Sequence, residues 1–106
     1  MSATFPLKVG DTAPVLQATL SDSDGNAVDL TGADVQFRLL EPRDGATKID
    51  SPATVHDASN GIVRYQWAPG DTDEAGRYRA EFEVTYADSS VETFPNDGFH
   101  DVVLTR

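Results

Sequence analysis

The sequence predicts an all-β domain, an immunoglobulin-like antiparallel β-sandwich of about seven to nine short strands. Three observations predict it. Apolar and polar residues alternate at period two through most of the chain. Turn signals recur at short intervals, among them Gly10-Asp11, Asp24-Gly25-Asn26, Thr31-Gly32, Asp44-Gly45, Asn60-Gly61, Pro69-Gly70-Asp71, Ala75-Gly76, Asp88-Ser89-Ser90 and Asn96-Asp97-Gly98. No stretch holds a convincing helical period; residues 71–75 could form a single turn at most.

The strands follow in order. Leu16, Ala18 and Leu20 alternate with Gln17, Thr19 and Ser21. Residues 27–30 read as a short strand. Val35, Phe37 and Leu39 alternate with Gln36, Arg38 and Leu40, and two short runs cover residues 47–49 and 54–56. Val63, Tyr65 and Trp67 alternate with Arg64 and Gln66. Residues 91–94 and 102–105 complete the set. Pro42, Pro52 and Pro69 fall between runs, where a missing N–H does little harm.

Residues 77–86 carry the clearest pattern. Tyr78, Phe82 and Tyr86 are four apart, so a helix must be weighed. A helix would put Ala80 and Val84 on its far side and scatter the charges. A strand sorts all ten, with Tyr78, Ala80, Phe82, Val84 and Tyr86 on one face and Arg77, Arg79, Glu81, Glu83 and Thr85 on the other. Just before it, Glu74-x-Gly76-x-Tyr78-x-Ala80 has the layout of the corner entering the sixth strand of immunoglobulin domains. There the tyrosine hydroxyl bonds back to the chain upstream. Ala80 stands where those domains keep a cysteine, and Trp67 lies before the corner, so the match is to the architecture.

A chain of 106 residues leaves room for one domain, expected to span residues 1–106 with 1–4 as a flexible tail. Hydrophobic residues at 39% support a packed core. The absence of cysteine excludes a disulfide framework, thiolate catalysis and Cys-type zinc sites. No apolar run approaches the roughly 18 residues of a membrane span, and residues 1–4 carry no basic region of a signal peptide. Lys plus Arg is 8 against 18 Asp plus Glu, a formal charge of −10, which disfavours nucleic acid and anionic membranes as partners. The acids are 13 Asp and 5 Glu, the bases 6 Arg and 2 Lys. An Asp-rich, Lys-poor surface suits a protein of a salt-loving host, where concentrated salt screens self-repulsion; an ordinary acidic domain is the alternative.

The search for chemistry finds no catalytic residue and no cofactor site. His56 and His100 precede Asp57 and Asp101, but neighbouring strand residues point to opposite faces, so neither pair is a ready dyad. Asp22, Asp24 and Asn26 are the candidate metal ligands, three oxygen side chains at every second position. The glycine is in the wrong place for a calcium loop and no Glu closes it, so a plain hairpin turn competes. Residues 69–74 read as a solvated acidic loop, and Glu81 and Glu83 as an exposed strand face. Tyr65, Trp67, Tyr78, Phe82 and Tyr86 offer a sugar-stacking platform, but their alternation favours the core. No serine elbow, Walker loop or dinucleotide fingerprint occurs.

Taken in order, the turn segments resemble a known family. Lys8-Val9-Gly10-Asp11-Thr12 opens the first strands, followed by Asp24-Gly25-Asn26-Ala27-Val28-Asp29-Leu30-Thr31-Gly32-Ala33. Next come Asn60-Gly61-Ile62-Val63-Arg64-Tyr65-Gln66-Trp67 and Pro69-Gly70-Asp71-Thr72. Ala75-Gly76-Arg77-Tyr78-Arg79-Ala80-Glu81-Phe82-Glu83-Val84 and Glu92-Thr93-Phe94-Pro95-Asn96 complete the series. The order resembles the N-terminal domain of phage baseplate upper proteins, over nearly the whole chain. The resemblance implies a non-enzymatic structural protein of a tailed virus, located in the tail or baseplate of the virion after synthesis in the host cytoplasm. Its implied partners are other virion proteins, in a symmetric homo-oligomeric assembly or anchoring fibres. Larger members continue beyond the module, so a stand-alone tail component, a head decoration or a connector is also open. A receptor- or carbohydrate-binding sandwich is the second reading. Edge strands suit docking, with Pro95 and the acidic turns guarding against unwanted pairing.

Overall fold

The computed structural model describes residues 4–41, 43, 45–94 and 100–106. Among them run eight strands: β1 (Thr4–Lys8), β2 (Leu16–Thr19), β3 (Asp34–Leu40), β4 (Thr47–Asp57), β5 (Ile62–Tyr65), β6 (Gly76–Thr85), β7 (Val91–Phe94) and β8 (His100–Thr105). One 3-10 turn, Ala58–Asn60, joins β4 to β5. The strand order is β1-β8-β6-β3-β4-β5-β2, with β7 also paired to β6.

β4 makes this one path into two layers. Its residues from Thr47 to Ala53 pair with β3, and Thr54, Val55 and Asp57 pair with β5. The transfer falls between Ala53 and Thr54, and irregularities between Leu39 and Leu40 and between Val55 and Asp57 lie towards the two ends of β4. Such offsets bend a strand and raise its twist. The larger layer is β1, β8, β7, β6, β3 and the first part of β4; the smaller is the rest of β4 with β5 and β2.

Period two then decides what each layer buries. Val35, Phe37 and Leu39 from β3 meet Tyr78, Ala80, Phe82 and Val84 from β6 and Leu16, Val63 and Tyr65 from the smaller layer, all buried. Tyr65 stacks on Phe37 with ring centroids 4.3 Å apart, and Trp67 sets its edge against both. Each such side chain contributes roughly 1.5–3 kcal/mol by leaving water. Leu20 and Leu30 add to the core from the connections.

The expected all-β sandwich is present, with four local corrections. Residues 27–30 form no strand: Ala27 makes a single bridge to Ser21, while the N–H groups of Val28 and Leu30 donate to the Leu20 and Ala58 carbonyls. Those loop bonds satisfy the backbone without a ladder. Residues 47–49 and 54–56 belong to one eleven-residue strand, and Pro52 lies inside it opposite Gln36 rather than between runs. A proline fits there because β4 changes partners over the following residues. Trp67 lies beyond the end of β5 yet stays buried. Finally, the pairing is not wholly antiparallel. Thr4, expected in a tail, begins β1, which runs parallel to β8. Residues 1–3, Pro42, Asp44 and the Pro95 and Asn96-Asp97-Gly98 signals lie outside the described residues.

Candidate interaction surface

The outward side chains of the larger sheet form a polar ladder. Arg38 on β3 stands opposite Asp50 on β4 and Glu81 on β6, with Glu83 one diagonal step away. Its Nη1 donates to Glu83 Oε2 at 2.9 Å and its Nη2 to Glu83 Oε1 at 3.3 Å, a two-pronged contact. Its Nε lies 3.6 Å from Asp50 Oδ1. Gln36 Nε2 donates to the same Asp50 oxygen at 2.7 Å. Burial pulls the Arg38 pKa down, but the bonds and charges of Glu83 and Asp50 outweigh it and hold it above its ordinary value. Arg38 is thus a fixed cation tying three strands together. A shallow groove lies over it, lined by Asp34, Arg38, Asp50, Pro52, Val55 and Glu83 among others.

Lys48, Arg77 and Arg64 are committed as well. Lys48 Nζ donates to Asp73 Oδ1 at 2.9 Å and lies 5.7 Å from the Tyr78 ring centre. The bond to Asp73 raises the Lys48 pKa and lowers that of Asp73. Arg77 Nη1 donates to Asp101 Oδ2 at 2.6 Å, and Arg64 Nε to Gln17 Oε1 at 2.7 Å. Meanwhile residues 18–37, 49–63 and 80–99 contain no Lys or Arg at all. Pairing the few cations internally leaves an anionic exterior.

The residues singled out from sequence have structural employment. Asp22 Oδ1 accepts the N–H groups of Asp24 and Asn26 at 2.9 and 3.0 Å, which makes the metal candidate a turn closed on its own backbone. Among the described residues no three His, Cys, Asp or Glu side chains gather as a metal site. The same local use recurs. Asp29 accepts from Thr31, Asp57 from Ser59 and Asn60, and Asp88 from Ser90. Side-chain hydrogen bonds from Thr31, Asn60 and Ser90 lead in lowering the respective pKa values. Asp reaches back this way where the longer Glu does not, so turn chemistry accounts for part of the excess of Asp over Glu.

The acidic loop at 69–74 is not simply solvated. Asp71 Oδ2 accepts the Tyr65 hydroxyl at 2.5 Å and the Ala68 N–H at 2.8 Å. Thr72, buried, donates its hydroxyl to the Asp11 carbonyl at 2.8 Å and accepts the Gly10 N–H. Gln66 Nε2 reaches the Thr12 carbonyl at 2.7 Å. These bonds clasp the β1–β2 connection to the β5–β6 connection. The corner follows at once, with Tyr78 Oη donating to the Glu74 carbonyl at 3.0 Å, as its layout predicts.

Tyr65, Trp67, Tyr78 and Phe82 are buried, and half-buried Tyr86 donates its hydroxyl to Glu92 Oε1 at 2.8 Å. The aromatic set belongs to the core, as alternation favours. Glu81 and Glu83 do face outward but are half-buried. His56 is exposed while Asp57 is occupied by Ser59 and Asn60; the His100 side chain lies outside the described residues. Arg38 escaped notice in the sequence. Its signal is local: the one base of β3, at an outward position, beside strands that carry Asp50, Glu81 and Glu83 at outward positions.

The chain is thus an all-β, two-layer sandwich with a polar, ion-paired outer sheet and most of its aromatic residues inside. Residues 2–100 match the BppU N-terminal domain family, and this chain belongs to it; the family is a structural domain of phage baseplates. No curated protein matches the chain. Among solved structures it is similar to CopC from Methylosinus trichosporium OB3b, with 12% identity, a TM-score of 0.54 and coverage of 98% of this chain and 85% of that one. At that identity the likeness concerns the fold alone.

Proposed function

We propose that the chain acts as a non-enzymatic assembly module of a tailed-virus tail, joining other virion subunits around the baseplate as a single immunoglobulin-like domain. The observation that carries this reading is the commitment of the titratable groups. Arg38, Lys48, Arg77, Asp22, Asp57, Asp71 and Asp88 each hold a strand or a turn in place. A rigid frame with charged, outward-facing strands suits repeated docking in a symmetric ring. The −10 charge speaks against nucleic acid and anionic membrane as partners. Burial of the aromatic residues removes the platform on which a carbohydrate-binding reading would rest.

Mass spectrometry of purified particles, with copy number, tests the proposal. A multiple of three or six copies is expected for a tail ring. Hundreds of copies would move the chain to the head, and absence from particles would overturn the reading.

A further inference from the structure

Asn60-Gly61 is the one Asn-Gly pair of the chain, whose asparagines are Asn26, Asn60 and Asn96. Such a pair is chemically fragile wherever the backbone is free. Glycine carries no side chain to shield its nitrogen, which can attack the carbonyl carbon of the asparagine side chain.

In this fold the pair is held at several points. Asn60 ends the 3-10 turn between β4 and β5, and its Nδ2 donates to Asp57 Oδ2 at 2.9 Å, which ties the amide to the start of its own turn. The Gly61 N–H donates to the Ala58 carbonyl at 3.2 Å, and the Gly61 carbonyl accepts the Leu20 N–H at 2.8 Å. The Gly61 Cα is hemmed in by the Leu20 and Val28 carbonyl oxygens, which a Cβ there would approach to 2.7 and 2.8 Å. The Leu30 N–H also donates to the Ala58 carbonyl, and Leu20 and Leu30 are buried. Ring closure needs the Gly61 nitrogen over Asn60 Cγ, and so a rotation at Asn60 out of the helical ψ range. That rotation swings the Gly61 peptide away from every contact just named. The chemistry must therefore wait for the turn to open.

We propose that Asn60 is a fold-gated deamidation site, inert while the β4–β5 turn is closed and modified when it opens, with a product that keeps the turn from closing again. The Gly61 nitrogen bonds to Asn60 Cγ and the Cγ–Nδ2 bond breaks. Nδ2 leaves as ammonia, taking the proton that the Gly61 nitrogen gives up. Solvent water then opens the cyclic imide at either carbonyl, leaving aspartate or isoaspartate at that position. The aspartate product sets a second carboxylate beside Asp57 where a hydrogen bond stood. The isoaspartate product lengthens the backbone by a carbon next to Gly61, where the surrounding carbonyls leave no slack.

The full chain is incubated in mildly alkaline buffer, folded and in a guanidinium series, and conversion at Asn60 is followed by peptide mapping with mass spectrometry. Conversion should be at least about tenfold slower in the folded chain than in the unfolded one, and should rise along the series with the population of the opened turn. Asp57→Ala releases the Asn60 amide and should speed conversion in the folded chain by about threefold or more. Asn60→Asp, which places the product's charge in the turn, should melt below Asn60→Ser, which only removes the amide. Equal rates in folded and unfolded chains would overturn the proposal, as would no conversion even in the unfolded chain. So would an unchanged rate in a folded Asp57→Ala variant, or Asn60→Asp melting with or above Asn60→Ser. If Asp57→Ala does not fold, the ratio of rates and the two Asn60 variants decide.

Discussion

The Tyr78 hydroxyl donates to the Glu74 carbonyl at 3.0 Å, four residues upstream, and this bond closes the corner through which the chain enters β6. Tyr78 is itself buried, so its ring fills the core while its oxygen holds the turn. Tyr78→Phe keeps the ring and leaves the carbonyl without this donor. It should destabilise the fold by about 0.5–1.5 kcal/mol. A urea midpoint lowered without a change in slope is the expected reading.

Gly61 follows the 3-10 turn with φ of +67°, and a Cβ there would come 2.7 Å from the Leu20 carbonyl oxygen and 2.8 Å from that of Val28. Both are backbone atoms that fix the β2–β3 connection. Gly61→Ala meets a left-handed backbone and a clash together, and should cost more than about 2 kcal/mol. Gly25→Ala, at φ of +87° with nothing near its Cβ, bears only the backbone strain. Thermal melts of the two variants should separate by several degrees.

Tyr65 and Tyr86 are both pushed up to about 12, first by burial and then by the bonds to Asp71 and Glu92. A phenol whose folded pKa exceeds its unfolded value of about 10 favours the folded state while neutral. Its contribution is complete below pH 10 and is lost as pH rises through 12. Stability should therefore fall across that window, and Tyr65→Phe should make the fall shallower. Denaturant melts at stepped alkaline pH check this.

The turn aspartates act at the other end of the scale. Hydrogen bonds from Thr31, Asn60 and Ser90 hold Asp29, Asp57 and Asp88 below the ordinary carboxylate value of 3.8. Their contributions are present above that value and fade as pH falls through the lowered ones. Carboxyl carbon shifts followed by NMR should give midpoints below 3.8 for these three, and Thr31→Val should return Asp29 towards it.

Salt should raise the melting temperature. The excess of 18 acids over 8 bases makes self-repulsion the larger long-range term, and molar NaCl shortens its reach to about 3 Å. The opposing loss is small: the Arg38 ion pairs are part-exposed and worth at most about 1 kcal/mol each. A melting temperature that stays flat or falls between low and molar NaCl would count against adaptation to a salt-loving host.

Much of the fold was legible because side-chain period is a local property. The alternation over residues 77–86 gave β6 and its two faces to within a residue, and the Glu74 to Tyr78 layout gave the corner. The failures came where the backbone found non-local partners. Leu30 is buried, but its N–H goes to Ala58 and no ladder forms around it. Pro52 looked like punctuation and proved to sit inside the longest strand. The candidate ligands Asp22, Asp24 and Asn26 looked equivalent in spacing. Only in the fold is Asp22 seen accepting from the backbone of the other two.

By itself the sequence determined the all-β class, the alternating core and an acidic exterior, since each follows from residue type and short-range spacing. The tertiary structure decided that β1 runs parallel to β8, that Arg38 joins Asp50 to Glu83, and that β7 and β8 share one side of β6. Those features depend on which strands become neighbours, and strand pairing is settled by closing loops between distant segments, a cooperative choice that no local pattern encodes.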